Sequence, residues 1–193
     1  MSEFIVYLKL GWFHIADFSA YDHMLFLLAL CGVYQIHQYK TLIGLITAFT
    51  LGHSITLALA ANDLVVFSAS VIEFLIPTTI LFTALFNVFV IAFRKKEQLW
   101  VKYLATTFFG LIHGLGFSTY LSQLLGSESS IIKPLFAFNV GIEVGQLLIV
   151  AVILLIGWAM NSLLQTRFKY YQYAISSFAG AIAVSLIYNT KFW

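Results

Sequence analysis

The feature that most constrains this chain is a succession of apolar runs, each about as long as a membrane-spanning helix of roughly 20 residues. A helix rises about 1.5 Å per residue, so one such run can cross a hydrocarbon layer of about 30 Å. Of the 193 residues, 61% are hydrophobic and 9% are charged, whereas a soluble domain carries roughly 25% charged residues. The chain lacks the polar surface of a soluble protein, and we predict an integral membrane protein.

The same runs favour helices over a transmembrane β-barrel, whose strands would alternate in polarity over segments of about ten residues. In lipid, a helix satisfies its own backbone hydrogen bonds. We predict one all-α transmembrane domain over residues 1–193, with six transmembrane helices after a pre-segment (residues 1–18) on the outer face. The apolar stretch Phe4–Ile15 is too short to span, and either a short interfacial or a re-entrant helix fits it. The predicted spans cover residues 21–36, 41–61, 64–93, 99–120, 134–160 and 171–188.

Basic residues predict the orientation, because cytoplasmic connections carry an excess of lysine and arginine. Seven of the ten basic residues fall on one side, namely Lys40, Arg94, Lys95, Lys96, Lys102, Arg167 and Lys169. We therefore predict a multi-pass protein of the plasma (inner) membrane, with both termini and the loop from Leu121 to Lys133 on the non-cytoplasmic side. The acidic start, Met-Ser-Glu-Phe, predicts no signal peptide. The net charge of +2 is too small and scattered to indicate nucleic acid.

Four ionisable residues fall at one predicted depth. Counted at about 1.5 Å per residue, His53, Glu73, His113 and Glu143 lie roughly 10–13 Å from the outer ends of their helices. A charged residue near the centre of a span costs about 2.5–3.5 kcal/mol. Buried carboxylates at one depth repel each other and become protonated unless a cation compensates them. A bound metal ion provides that compensation, so we predict a metal site in the outer half of the membrane.

Further candidate ligands lie near this layer. Asp22 and His23 lie at the outer mouth of the first span, where Asp22 could instead cap the helix. His14 and Asp17 of the pre-segment could fold down onto the site. For any single histidine, a structural bond to a backbone carbonyl is the alternative to ligation. The predicted metal ligands are His14, Asp17, Asp22, His23, His53, Glu73, His113 and Glu143, with Ser54, Asn139 and Gln146 as supporting polar groups.

A short repeat accompanies the histidines. Phe49-Thr-Leu-Gly-His53 is similar to Phe109-Gly-Leu-Ile-His113, and each is followed by a helix that carries a glutamate. We predict a parallel repeat about an axis along the membrane normal. Pro77 lacks an N–H and lies four residues after Glu73, so the third span is predicted to be tilted or broken there.

The ligand chemistry narrows the ion. Imidazole nitrogen together with carboxylate oxygen suits divalent nickel, cobalt, zinc, iron or copper. The single cysteine, Cys31, and the scattered methionines serve a Cu⁺ site poorly. The cluster offers more groups than one ion needs, which fits either successive sites along a path or a two-metal centre.

Several of these motifs resemble those of a known family. Gly11-Trp-Phe-His-Ile15 followed by Tyr21-Asp-His-Met-Leu-Phe-Leu27 is similar to the first-helix signature of the HupE/UreJ family. Its later motifs are similar to Phe49–Ser54, Gly110–Gly114 and Phe138–Gln146, so the resemblance spans nearly the whole chain. Members are small membrane proteins, several associated with hydrogenase or urease, and are regarded as secondary carriers of nickel or cobalt. The resemblance implies that the family's metal-motif positions correspond to His14, Asp22, His23 and His113.

The chain also departs from the family pattern. The spacing from His14 to Asp22 is longer than in many members, and Phe109 and Gly116 stand where nickel-linked members carry a histidine and a glutamate. These departures widen the prediction from nickel to a divalent transition metal (nickel, cobalt or zinc). They also shift the expected coordination toward the ligands inside the spans.

We therefore predict a permease, a secondary transporter that binds a divalent transition-metal ion and moves it without ATP. The alternative is an intramembrane zinc-dependent hydrolase acting on a lipid or amide substrate, with a water on the zinc as nucleophile. A metal sensor or assembly factor is a third alternative. A polar trail in the inner half, at Thr47, Thr83, Asn87, Thr106 and Thr107, favours transport. The expected partners are the metal ion and the lipid bilayer, and homo-oligomerisation is left open.

Overall fold

The computed structural model describes residues 2–17, 21–93, 98–125, 130–163 and 168–192, and these form seven α-helices. A 3₁₀ turn, Ile36–Gln38, precedes the third helix. The prediction of an all-α protein is confirmed for the described residues. The helices are α1 (Glu3–Ala16), α2 (Asp22–Cys31), α3 (Tyr39–Ala61), α4 (Ala69–Phe93), α5 (Leu99–Leu125), α6 (Ile132–Leu163) and α7 (Phe168–Thr190).

Within the described ranges, four helical segments are long and apolar enough to cross a membrane. They are α4 with 25 residues, α7 with 23, α6 through Ser162 with 31, and α3 together with its preceding 3₁₀ turn with 26. An all-α protein with several candidate membrane spans is thus established, while the count of six spans stays a prediction.

The first predicted span does not form as one helix. Residues 21–36 contain α2, which has ten residues and is about 15 Å long, half of what the hydrocarbon layer requires. At Gly32, just after α2, a side chain would collide with Ile175 of α7. The helix is shorter than the predicted span because apolar character alone does not show where a helix ends, and the crossing of the membrane by this segment stays a prediction.

The N-terminal pre-segment forms α1, which packs closely against another helix of the bundle. Gly11 of α1 faces the backbone carbonyl of Phe138 in α6, and Gly141 of α6 faces that of Leu8, so close that neither has room for a Cβ. Glycine at both positions lets the backbones touch, and van der Waals packing of this kind holds helices together in lipid. The structure packs α1 against α6, and the choice between an interfacial and a re-entrant helix stays a prediction.

Two apolar clusters mark the two ends of the bundle, called upper and lower here. The upper cluster joins the last turns of α3 and α5 (Leu57, Leu125) to the first part of α6 (Phe138) and to α1. The lower cluster joins α2 and the first half of α3 (Leu42) to the second half of α6 (Leu154). The chain of α3 meets the lower cluster first, at Leu42, and the upper cluster later, at Leu57, so α3 rises. The chain of α6 meets the upper cluster first, at Phe138, and the lower cluster later, at Leu154, so α6 descends.

The pair α3·α5 has the same crossing geometry as the pair α1·α6. Gly110 of α5 faces the carbonyl of Phe49 in α3, and Gly52 of α3 faces that of Thr107 in α5. Again neither glycine has room for a Cβ. Two glycine-based crossings of one kind therefore support the bundle.

Both crossings join parallel helices, but the two pairs run in opposite directions. Along α1 and α6 the contacts advance together, from Phe4 with Phe136 to Ile15 with Gly145. The contacts of α3 and α5 advance together in the same way. Since α3 rises and α6 descends, one pair is inverted relative to the other, as in an inverted-topology repeat. The predicted parallel repeat concerns another pairing, α3 with α4 and α5 with α6. It requires α3 and α5 to run parallel, as they do, and the repeat itself stays a prediction.

The basic residues support the orientation less than the sequence suggests. Lys102 is not on a connection but inside α5, where it is 6% exposed and its Nζ donates to the Tyr34 hydroxyl at 2.9 Å. Arg94, Lys95, Lys96 and Arg167 lie outside the described residues. The orientation therefore stays a prediction.

The boundaries around α4 differ from the predicted ones. The helix begins at Ala69 instead of Leu64 and continues through Pro77 without a break. A turn follows α3, and in it Asp63 adopts a left-handed conformation with φ of 55°. The loop predicted over residues 121–133 is shorter, because α5 continues to Leu125 and α6 begins at Ile132.

Candidate metal centre

Four of the five histidines meet inside the bundle, each supplied by a different helix. His23 of α2 is central, with its ring centroid 4.7 Å from that of His14, 5.2 Å from His113 and 6.1 Å from His53. The rings of His14 and His53 are 5.8 Å apart. The predicted histidines therefore form one cluster, although His14 and His23 were expected nearer the outer mouth.

The nitrogen atoms are close to the spacing that a shared ion needs. One ligand atom each from His14, His23 and His53 lies within 4.8 Å of the other two. Nitrogens bound to one ion at about 2.1 Å lie at most about 4.2 Å apart. A side-chain contraction of the order of 1 Å would therefore bring three imidazoles onto one ion.

Five ring nitrogens of the cluster are buried without a hydrogen-bond partner among the described residues. A buried polar atom left without a partner costs about 1–3 kcal/mol, and such atoms are rare in folded proteins. His53 and His113 are 0% exposed and His23 is 4% exposed, so bulk water does not reach them. The unpaired atoms are Nε2 of His14, Nε2 of His23, both nitrogens of His53, and Nδ1 of His113.

Asp22 orients His23. Its Oδ1 lies 3.1 Å from Nδ1 of His23 and also accepts the backbone N–H of His23 at 2.8 Å. An imidazole that donates through Nδ1 to a carboxylate presents the lone pair of Nε2, which is the usual arrangement behind metal-ligating histidines. The structure thus places Asp22 against Nδ1 of His23 and on the wall of a cavity, and its predicted role as a direct ligand stays a prediction.

Thr79 of α4 orients His113 in the same manner. Its hydroxyl lies 2.7 Å from the carbonyl of Ile76 and 3.1 Å from Nε2 of His113, and a hydroxyl that donates to that carbonyl accepts from the imidazole. The lone pair of His113 then lies on Nδ1, the atom that has no partner among the described residues. Sequence reasoning missed Thr79, although it begins a stripe with Thr83 and Asn87 at spacings of four residues on one face of α4.

An upper cavity of about 420 Å³ leads to the cluster. Its walls combine three of the histidines with three carboxylates, and the side chain of Glu73 is exposed. These acids can attract a cation toward the imidazoles. The lining includes His14, His23, His113, Asp17, Asp22 and Glu73.

The structure does not bring Glu143 to this cavity. Glu143 lies in a separate groove of about 560 Å³ between α3 and α6, where its Oε1 accepts the Thr47 hydroxyl at 2.6 Å. Ser54 and Asn139 line the same groove, and Gln146 accepts a hydrogen bond from Thr50. The residues predicted at one depth are thus divided between two sites.

A polar trail continues from the cluster toward the lower end. The hydroxyl of Thr83 donates to the carbonyl of Thr79 at 2.9 Å. Thr83, Asn87 and Lys102 line a small cavity of about 100 Å³ with Thr106. Below it, the bond from Lys102 to Tyr34 lies between this cavity and a lower one of about 430 Å³ that Tyr34 and Asn87 also line.

A family model described as HupE / UreJ protein matches residues 1–192 of the chain. No curated protein and no solved structure matches it.

Proposed function

The chain belongs to the HupE / UreJ family, and from this membership and the histidine cluster we propose that it is a permease for a divalent transition-metal ion. The observation that carries the proposal is the set of buried imidazole nitrogens that have no hydrogen-bond partner among the described residues. Neutral imidazoles whose lone pairs converge are suited to bind a transition-metal cation.

Two groups of residues would take different roles toward the ion. Asp17 and Glu73, on the walls of the upper cavity, would attract the hydrated ion. The four imidazoles would then replace its water, since nitrogen ligands suit nickel, cobalt and zinc better than the hard ions magnesium and calcium. Asp22 and Thr79 would hold His23 and His113 in the tautomers that present a lone pair.

Passage to the lower end would follow the polar trail on α4. The buried ammonium of Lys102 would be the barrier on this side, because a divalent cation approaching it is repelled. The inverted helix pairs α1·α6 and α3·α5 supply two similar units that could rock against each other around the cluster. Protonation of the histidines would weaken the binding of the ion and aid its release.

The proposal also includes the membrane, the number of spans and the orientation of the protein. We take it to be a plasma-membrane protein with six spans and with both termini on the non-cytoplasmic side, as the basic residues predict. Nickel, cobalt and zinc remain the candidate ions. Neither the family match nor the cluster adds support to the hydrolase alternative.

An uptake experiment tests the proposal. Cells that express the chain should accumulate more nickel, cobalt or zinc than cells that carry His53→Ala or His113→Ala, at equal protein level in the membrane. His37→Ala is the matched control, because His37 is exposed and lies outside the cluster. Equal accumulation by wild type and both cluster variants would show that the histidines do not serve metal transport.

A further inference from the structure

A second polar site lies on the other side of α3, in the groove that contains Glu143. The groove begins at the upper end of the bundle, near Asn62 and Ile131. It extends down to Glu143, which lies eleven residues after the first residue of α6 and so about 17 Å along that helix. A carboxylate is thus held well inside a membrane-spanning helix, away from the histidines.

The carboxylate of Glu143 accepts a short hydrogen bond from across the groove. The 2.6 Å bond from the Thr47 hydroxyl falls in the range of about 2.5–2.7 Å that is typical of a hydroxyl bound to a carboxylate anion. The groove's lining contains no lysine, arginine or histidine among the described residues. A charge at this depth is costly unless an opposite charge accompanies it. Because the described lining supplies no such charge, a bound cation would stabilise an ionised Glu143.

Further polar atoms beside the carboxylate lack partners. Asn139 lies one helical turn before Glu143 and so on the same face of α6. Its Nδ2 donates to the carbonyl of Leu135 at 2.9 Å, while its Oδ1 is buried without a partner among the described residues. Gln146, 0% exposed and below Glu143, has its Oε1 bonded to Thr50, and its Nε2 is likewise unpaired. A cation beside Glu143 would give the Asn139 oxygen a partner.

The donor atoms indicate which cation fits. The groove offers carboxylate, amide and hydroxyl oxygens and no nitrogen lone pair or thiolate, so a hard cation is favoured over a transition metal. Hard divalent ions are generally held by several carboxylates or by phosphates, whereas this groove has one acid. We propose that the groove is an alkali-metal site in which Glu143, Asn139 and Thr47 bind Na⁺. This site shares no residue with the histidine cluster, so it stands or falls independently of the proposed metal transport.

Thermal unfolding of the purified full chain in detergent tests the site, with sodium chloride compared against choline chloride at equal ionic strength. A ligand that binds the native state raises its melting temperature in a saturable way. We expect this rise for wild type in Na⁺ and its loss in Glu143→Gln. Glu73→Gln is the matched control, because it removes a carboxylate of the other cavity and should keep the full response to Na⁺.

Equilibrium dialysis with radioactive sodium gives the second readout. Wild type should bind one Na⁺ per chain, and Thr47→Ala or Asn139→Ala should weaken the binding at least about tenfold, the effect of losing about 1.4 kcal/mol. A cooperative melting transition of the same variants in choline chloride shows that they are folded. Equal melting in sodium and choline, or unchanged Na⁺ binding by Glu143→Gln, would overturn the proposal. A response to pH alone, without a response to Na⁺, would replace the sodium ion by a proton and would overturn it as well.

Discussion

The two faces of α3 carry polar groups of different chemistry. One face presents His53 to three other imidazoles, and five of the eight ring nitrogens there lack a hydrogen-bond partner among the described residues. The other face presents Thr47 and Thr50 to Glu143 and Gln146 at 2.6 and 2.8 Å. Soft or borderline cations prefer the first donor set and hard cations the second. One helix can therefore separate two ions by chemistry, without a difference in depth.

The largest difference between the faces is expected on removal of a central ligand. His53→Ala should weaken binding of nickel, cobalt or zinc by at least about 100-fold, since it removes a buried ligand and about 2.7 kcal/mol or more. Calorimetric titration of the purified chain gives the affinity. The exposed His37→Ala should keep the wild-type value. A similar loss of metal affinity in both variants would mean that the metal ion does not bind at the histidine cluster.

A smaller loss is expected from the residue that orients His23. Asp22→Asn should lower the metal affinity by about 10–100-fold, the range found when a partner behind a metal ligand is removed. The amide N–H of the new asparagine could donate to Nδ1 of His23. That bond would favour the tautomer with the proton on Nε2, which then has no lone pair for the metal ion. The neighbouring acid Asp17, which lines the upper cavity, provides the control Asp17→Asn. If Asp17→Asn had the larger effect, the assigned role of Asp22 would be wrong.

The scaffold of the histidine face is tested by two glycines of α6. Gly141→Ala should destabilise the protein by about 1–3 kcal/mol, because its Cβ would collide with the carbonyl of Leu8. Gly145→Ala should be nearly neutral, since its Cβ would lie 3.5 Å from the side chain of Ile15, an ordinary contact. Melting temperatures in detergent compare the two variants. Equal melting temperatures of the two variants would show that the close crossing of α1 with α6 at Gly141 does not limit stability, since the gain in helix propensity from Gly to Ala is the same at both positions.

The smallest effect on transition-metal binding is expected on the oxygen face. Glu143→Gln should leave the affinity for nickel, cobalt or zinc within about twofold of wild type, which is a change of about 0.4 kcal/mol. The same titration measures it. A loss as large as that of His53→Ala would join the two faces into one site and contradict the division seen in the structure.

The sequence predicts the fold class and the histidines well, for physical reasons. Apolar runs identify helices, and histidines inside them are few enough to be noticed. Counting residues along a helix gives depth, and His53 and Glu143 do lie inside helices long and apolar enough to cross a membrane. Depth does not give the side of the helix that a residue faces, which is set by packing between helices. For this reason the sequence could not separate Glu143 from the histidines.

The position of α1 and the burial of Lys102 also depend on packing between helices, which the sequence does not show. The entry of α1 into the bundle depends on Gly11 meeting Gly141, a contact between residues far apart in the chain. Lys102 reads as a loop charge because local charge patterns do not reveal a partner such as Tyr34, which is distant in sequence. Thr79, in contrast, could have been found from the periodic stripe that it forms with Thr83 and Asn87.

The central claim is that imidazoles of this cluster bind a transition-metal ion. X-ray absorption spectroscopy of the purified chain, loaded separately with nickel, cobalt and zinc, tests it most directly because it reports the ligand atoms themselves. We predict at least three imidazole nitrogens at about 2.0–2.1 Å from the ion, and their loss in His53→Ala. A shell made of oxygen atoms only, or a spectrum that His53→Ala leaves unchanged, would contradict the claim.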